Sequence, residues 1–497
     1  MTLAANGRST QLNGTARERA AIIVFAIAAT ALGMLAALGS AQAFATVAVV
    51  LLIFVAALTL PLSWVALGVA ALVPFQFYFE LPGSSFTLRG AVVWVLAAAI
   101  RLLVRRIARK EITRWQSWML PAALFLSAAL IAALGAPSRY LAFKGIYDWL
   151  IIFATAFVIG ELARSRQAVD RLVFVLIAGG VAQATLGLAQ YALGLDNVLG
   201  VLRLPVSTLF FQPSLLRERL ADGSFNWVVF DRAAPFGTFI NGIDYAIFVA
   251  SVLGLTLPRL LVARARRQSV LLLGAVLLMG VALLLTFKGS GWLAFAGAAA
   301  IVAWFLLHQR SPRVLALGVV GVGAALLLAL PFADQLAQRA LFLILREQGA
   351  TGTAGRLEIW ANLLQDFLRR PVLGFGLNHA ALLTEATRTL RYGAVAFNNP
   401  SAESAYVTAL VETGLVGLGA LMALFAATVA RAARSARVDA RFIGILAALV
   451  ALLLGNLTVA GFTTDQNGML LGALIGMTFG FNRERSRPYA NKKIGED

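Results

Sequence analysis

Apolar residues run through this chain in blocks, separated by short stretches where charge, glycine and proline collect. A helix crossing a bilayer core of about 30 Å needs roughly 20 apolar residues. On that template fourteen segments stand out, near 20–38, 41–60, 62–77, 90–104, 117–136, 142–160, 171–193, 238–257, 269–286, 290–307, 313–330, 404–430, 442–459 and 467–482. The second and third meet at Leu60–Pro61 and read either as one broken helix or as a re-entrant pair. The pattern predicts an all-α fold: a polytopic helical membrane protein with about 12–14 transmembrane helices. Residues 1–482 form one multispan domain, and 483–497 a disordered tail.

Two stretches break the rhythm, 194–237 and 331–403, and a shorter Phe-rich one, 78–89, ends in Arg89. Loops beyond about 12–15 residues are uncommon unless functional or disordered. Within the larger one, 355–370 (GRLEIWANLLQDFLRR) repeats Trp360, Leu363, Leu364, Phe367 and Leu368 at helical spacing, and Pro371 stops the run. This predicts an amphipathic helix on the membrane surface. Leu373-Gly374-Phe375-Gly376 then supplies a tight turn.

Composition narrows the class. The 497 residues are 60% hydrophobic and 13% charged, against about 45–50% and 25% in soluble domains. That excludes an ordinary cytosolic enzyme, a disordered chain and a fibrous repeat. With no cysteine, disulfide scaffolds, thiol catalysis and cysteine-ligated metal fall away, and two histidines, His308 and His379, build no histidine-rich metal site. No Asp-x-Asp pair occurs either.

The net charge of +19 suggests nucleic acid only until its distribution is read. Placing the N-terminus inside puts 27 of the 42 Lys and Arg, and 8 of the 23 acids, on the cytoplasmic side, leaving 15 of each outside. The basicity is a topology signal. Both termini are then cytoplasmic and both long loops periplasmic, with no nucleic-acid partner. Ala41-Gln42-Ala43 resembles a signal cleavage site, but 20–38 exceeds a signal core of about 7–15 residues and reads as a retained helix.

Outside cations gather where loops meet helices. For any single one the ordinary reading is solvated charge or headgroup anchoring, and Arg89 and Arg139 are candidate substrate contacts beside it. Three are better placed: Arg232 before Pro235-Phe236-Gly237-Thr238-Phe239-Ile240-Asn241, Lys288 in a loop of a few residues, and Arg356 opening the amphipathic helix. Guanidinium binds phosphate bidentately and lysine acts as a point charge, so together they suit a lipid-linked diphosphate. Glu403 stands at the junction of the large loop and the twelfth span, where the ordinary reading is a macrodipole-favoured acid capped by Ser401. Glu412 and Asp244 lie at membrane depth, where acids are costly and either functional or paired with an arginine. His379, after the glycine turn, is a candidate substrate contact.

Residues 355–377 followed by 403–419 (ESAYVTALVETGLVGLG) resemble the signature of the bacterial O-antigen ligase and O-antigen polymerase superfamily. That signature runs Gly-Arg, a Trp-bearing helix, Pro-x-x-Gly-x-Gly, then an aromatic-bearing helix with Glu-x-Gly-Leu-x-Gly, matched here by Glu412-Thr413-Gly414-Leu415-Val416-Gly417. Arg232 and the residues after it resemble the family's Arg-x-x-Gly-x-Phe segment. Ligases carry His-Asn-x-Tyr where this chain has Glu403-Ser404-Ala405-Tyr406, which points toward a polymerase and makes Tyr406 a further candidate substrate contact. The family's Ser-Arg-Gly turn is here Lys288-Gly289-Ser290.

The resemblance implies metal-independent, inverting glycosyl transfer without a cofactor, at the periplasmic face of the bacterial inner membrane. The implied partners are an undecaprenyl-diphosphate-linked glycan donor, a glycan acceptor and membrane lipid. Glu403 is the general base, and Arg232, Arg356 and Lys288 hold the donor diphosphate. Products are O-antigen, capsule or exopolysaccharide, and a flippase and chain-length regulator of the same pathway are implied partners. Transfer to lipid A-core, as in a ligase, is the alternative. A lipid-linked oligosaccharide transporter is a competing class, with short loops and a charged central cavity as its expected marks, and a non-catalytic scaffold is another. No internal repeat is visible, which disfavours an inverted-repeat transporter.

Overall fold

A computed structural model describes residues 41–76, 78–80, 87–108, 116–193, 228–229, 232–233, 235–239, 241–308, 353–383 and 404–481. The expected spans near 20–38 and 313–330, Glu403, and the tail lie outside the described residues.

Each remaining apolar block forms a helix. In chain order these are α1 (Ala41–Thr59), α2 (Leu62–Leu72), α3 (Gly90–Ala108), α4 (Met119–Leu134), α5 (Arg139–Leu162), α6 (Arg166–Leu193), α7 (Gly242–Val262), α8 (Arg266–Leu285), α9 (Gly289–His308), α10 (Thr353–Arg369), α11 (Ala405–Ala436), α12 (Arg441–Gly455) and α13 (Asp465–Gly480). Among the described residues α5, α6, α7, α8 and α11 are long and apolar enough to cross a membrane. The chain is an all-α, multi-pass membrane protein. Pro61 separates α1 from α2, its extended backbone preceding α2. Two short antiparallel ladders were not legible in the spacing: β1 (Tyr78–Glu80) pairs with β2 (Thr87–Arg89), and β3 (Val228–Val229) with β4 (Arg232–Ala233).

Close approach decides the bundle's arrangement. Gly468, Gly472, Gly476 and Gly480 recur every four residues along one face of α13. A methyl at the last three would meet the α5 backbone at Ile152, Ala156 and Gly160 respectively. Small residues let helix backbones touch, which is how helices associate where lipid removes the hydrophobic drive. α7 packs against α6, α8, α9 and α12, and nearly every residue from Asp244 to Thr256 is buried. A helix apolar on all sides belongs in the interior.

α10 lies against α11. Ile359 and Leu363 are buried against Val411 and Ala380, while Leu357, Leu364 and Leu368 stay exposed. The helix thus has one apolar stripe for the protein and another that suits a bilayer surface.

Candidate functional site

Successive antiparallel helices bring the starts of α3, α5, α7, α9, α11 and α13 to one end of the bundle with the ends of α6, α8 and α12. That end concentrates the protein's buried polar groups. Asn241 caps α7, its Oδ1 accepting from the N–H of Ile243 (2.9 Å) and Asp244 (2.8 Å). Its Nδ2 donates to Asp244 Oδ2 at 2.6 Å, and Asn467 Nδ2 donates to the Asp244 carbonyl at 3.1 Å. The Asp244 carboxylate also bonds Thr464. Among the described residues its partners are therefore amides and a hydroxyl, and of the two readings for an acid at this depth, a functional role or an arginine pair, no arginine pair is present.

The segment after Arg232 is clamped by two α6 amides. Gln190 Oε1 accepts from Phe236 N–H (3.1 Å) and Gly237 N–H (2.8 Å), and its Nε2 donates to the Gly237 carbonyl at 2.7 Å. Gln183 does the same for Thr238, accepting from its N–H at 3.0 Å and donating to its hydroxyl at 2.7 Å. Arg232 lies on β4, five residues ahead of Gly237. Lys288 sits in the α8–α9 turn, where Phe287 has a positive φ of 51°. Its aliphatic chain lies over Gly242 at the start of α7. Beside it, Ser290 and Thr458 share a hydroxyl–hydroxyl bond of 2.6 Å between α9 and the α12–α13 loop.

Ser404 caps α11, accepting from Val407 N–H. The cap expected at Ser401 is thus three residues further on. The first turn of α11 contains no acid. The junction is fixed: Ser404 is buried, and Ala405 N–H reaches the carbonyls of Asn456 (3.0 Å) and Val459 (2.9 Å). Asn456 in turn accepts from Gly461 N–H at 2.8 Å. Tyr406 turns the other way, donating to the Leu453 carbonyl at 2.8 Å with its ring edge-on to Phe462.

The glycine motifs form one joint. α11 breaks at Gly414, whose φ of 65° and ψ of −168° are non-helical. The broken helix frees backbone groups that the 371–376 loop takes up. Phe375 N–H donates to Val411 O (3.0 Å) and Gly376 N–H to Glu412 O (2.8 Å). Leu415 and Val416 N–H donate to Pro371 O (2.9 Å) and Val372 O (3.3 Å). A Cβ on Gly374 would strike the Val411–Glu412 backbone, and one on Gly414 would strike Val372. Discontinuous helices also occur in transporters, where the freed groups line a cavity; here the loop occupies them.

Glu412 completes the joint. Its carboxylate accepts from Ala380 N–H at 3.0 Å and from the N–H groups of Asn378 and His379. Asn378, with φ 61°, curls these donors into a nest that favours an anion. His379 is buried: Nδ1, 2.9 Å from the Leu377 carbonyl, carries the proton, and Nε2 accepts from Ser138 N–H at 3.0 Å. Both ring nitrogens are engaged within the protein, tying the joint to the start of α5. Arg370 extends that tie, donating to the Gly135 carbonyl at 2.7 Å. Arg139 itself is exposed at the α5 start. Arg89 pairs with Asp148 at 2.6 Å and borders a narrow cleft with Gln76, Thr463 and Thr464.

The structure therefore brings the Arg232 segment, Lys288 and the Ser404 junction to the same end, and fastens the helix bearing Arg356 to the one following Glu403. Gln183, Gln190, Asn456 and Asn467 were missed in the sequence. Their signal was present, as amides inside apolar spans. Among the described residues no three of His, Asp and Glu stand together as a metal site.

No curated protein matches the chain. Residues 274–422 match the family model described as O-Antigen ligase. The match runs from α8 to α11 and takes in Lys288, Arg356, His379, Glu403, Tyr406 and Glu412, while Arg89, Arg139 and Arg232 precede it. Over residues 274–422 the chain is thus similar to the O-antigen ligase family, and the rest of the chain lies outside that match.

Proposed function

We propose that the protein is a polysaccharide polymerase, joining undecaprenyl-diphosphate-linked oligosaccharide repeats at the periplasmic face of the inner membrane. An acceptor sugar hydroxyl attacks the anomeric carbon of the donor glycan. The new C–O bond forms as the bond to the lipid diphosphate breaks, inverting the anomeric centre. Glu403 takes the hydroxyl proton, a role contributing typically 10²–10⁴-fold. Arg232, Arg356 and Lys288 neutralise the departing diphosphate, and Arg89 and Arg139 are assigned to substrate contact, while Tyr406, whose hydroxyl is bonded to the Leu453 carbonyl, is assigned to positioning the start of α11. His379 is assigned to positioning, since its ring nitrogens are already bonded.

One observation carries this reading: the joint between the 371–376 loop and the α11 break. It fastens α10, with Arg356, to the helix whose capped start follows Glu403. The cap of α11 is supplied by Ser404, which leaves a chemical role open to Glu403. A second reading, transfer of glycan to lipid A-core, is favoured by the description of the matching family. Incubating purified protein with the lipid-linked repeat alone separates them. A ladder of products is the expected result. Consumption of donor only on adding lipid A-core would make the protein a ligase, and no consumption under either condition would end both readings.

A further inference from the structure

At the opposite end of α6 and α7 lies a pocket of about 730 Å³ between α2, α6, α7, α8 and the α11–α12 turn. Arg171 on α6 is 19 residues from Gln190, or roughly 28 Å at 1.5 Å per residue. The two polar regions therefore sit near opposite boundaries of a bilayer core.

The pocket wall is ionic. Asp170 accepts from Arg259 at 2.8 Å and Arg441 at 2.9 Å, and Asp439 pairs with Arg441 at 3.2 Å and Arg166 at 3.3 Å. These pairs fix Arg259 and Arg441 rigidly but do not use up the positive charge. Arg171 also lines the pocket, is exposed, and makes no ion pair among the described residues. Arg264, Arg266 and Arg267 flank the lining residues Ala263 and Gln268 and are likewise exposed and unpaired among the described residues. The rim is therefore short of anions.

Apart from the exposed amides Gln167 and Gln268, the rest of the lining is apolar, and part of it faces outward. Phe174 is 68% exposed and Val262 53% exposed, beside Leu67 and Val175. A basic floor beneath an exposed apolar lip matches a molecule with an anionic head and hydrocarbon tails. Basic pockets between transmembrane helices at the membrane surface take phospholipid headgroups. A soluble phosphate compound shares the anion but has no use for the lip.

We propose that this pocket binds an anionic phospholipid, its phosphodiester held by Arg171 with Arg259 and Arg441 and its acyl chains against Phe174 and Val262. Bound there, the lipid staples α6, α7 and α12 together. The proposal rests on the membrane fold and not on the polymerase reading.

The test uses the full chain, delipidated in detergent and titrated with short-chain phosphatidylglycerol, phosphatidylcholine of equal chain length, or glycerol 3-phosphate. Binding is read by native mass spectrometry and by the shift in Tm. A charge-assisted contact corresponds to about tenfold or more in affinity. Phosphatidylglycerol should bind at least about tenfold tighter than phosphatidylcholine by that measure. Arg171→Glu should remove the preference, and Arg105→Glu, an exposed cation on α3 outside the pocket, should keep it. Equal binding of the two lipids overturns the proposal, as does an undiminished preference in Arg171→Glu or its loss in Arg105→Glu. Saturation by glycerol 3-phosphate as tight as by phosphatidylglycerol would make the occupant a soluble phosphate and overturn it too.

Discussion

Replacing Gly414 by alanine tests whether the joint beneath α11 holds the site together. The residue sits at φ 65° and ψ −168°, a conformation nearly restricted to glycine and costing a residue with a Cβ about 1–3 kcal/mol. The new methyl also overlaps the Val372 carbonyl. Relief requires the 371–376 loop to move away, giving up four backbone hydrogen bonds worth about 0.5–1.5 kcal/mol each, or about 2–6 together. The bundle core does not depend on them, because α5–α13 and α7–α12 pack elsewhere. Gly414→Ala should therefore insert and express, yet lose polymer, and the purified variant should be cut faster by trypsin after Arg369, the Arg370–Pro371 bond being resistant to the enzyme. Gly419→Ala is the control: it lies in the same helix with nothing near its added methyl. Wild-type cleavage and wild-type polymer in Gly414→Ala would refute the argument.

Other outcomes follow from the same contacts. Gly476→Leu should prevent α13 from closing on α5 and abolish folded protein, seen as loss of a monodisperse detergent peak; a monodisperse peak like the wild type's would contradict it. Arg232→Ala and Arg356→Ala should cut donor use far more than expression, and Arg232→Lys should recover part of it, since a point charge cannot reproduce a bidentate fork; unchanged donor kinetics in both alanine variants would remove the diphosphate clamp. Reporter fusions at Gly223 and Gly393 should read periplasmic and one after Arg487 cytoplasmic; a cytoplasmic signal from Gly393 would put the proposed donor site in the wrong compartment.

The helical architecture was legible because the bilayer fixes both span length and polarity. Ranges such as 290–307 and 467–482 differ from α9 and α13 by only a residue or two at each end, within ordinary end uncertainty. The Gly-x-x-x-Gly face of α13 was not read in the sequence, and its partner α5 had no local signal, because pairing across 320 residues leaves no local trace. The site was legible in part. The Pro-x-x-Gly-x-Gly and Glu-x-Gly motifs stood out as residues near chemistry. Their geometry shows a backbone joint, with Glu412 held by three N–H groups instead of an arginine. A hydrogen-bond nest depends on φ angles at Asn378 that composition does not encode. His379 likewise reads as available chemistry until both nitrogens are traced to Leu377 and Ser138.

The central claim is that Glu403 serves as general base in glycosyl transfer from a lipid-linked donor. Its most direct test is the initial rate of ladder formation by purified Glu403→Gln beside wild type, with matched amounts of folded protein. The amide is nearly isosteric but cannot take the proton, so the account predicts a loss of roughly 10²–10⁴-fold. Glu403→His restores an acceptor with an ordinary pKa near 6.5, and partial activity is expected of it. A well-folded Glu403→Gln protein that builds full-length polymer at the wild-type rate would contradict the account.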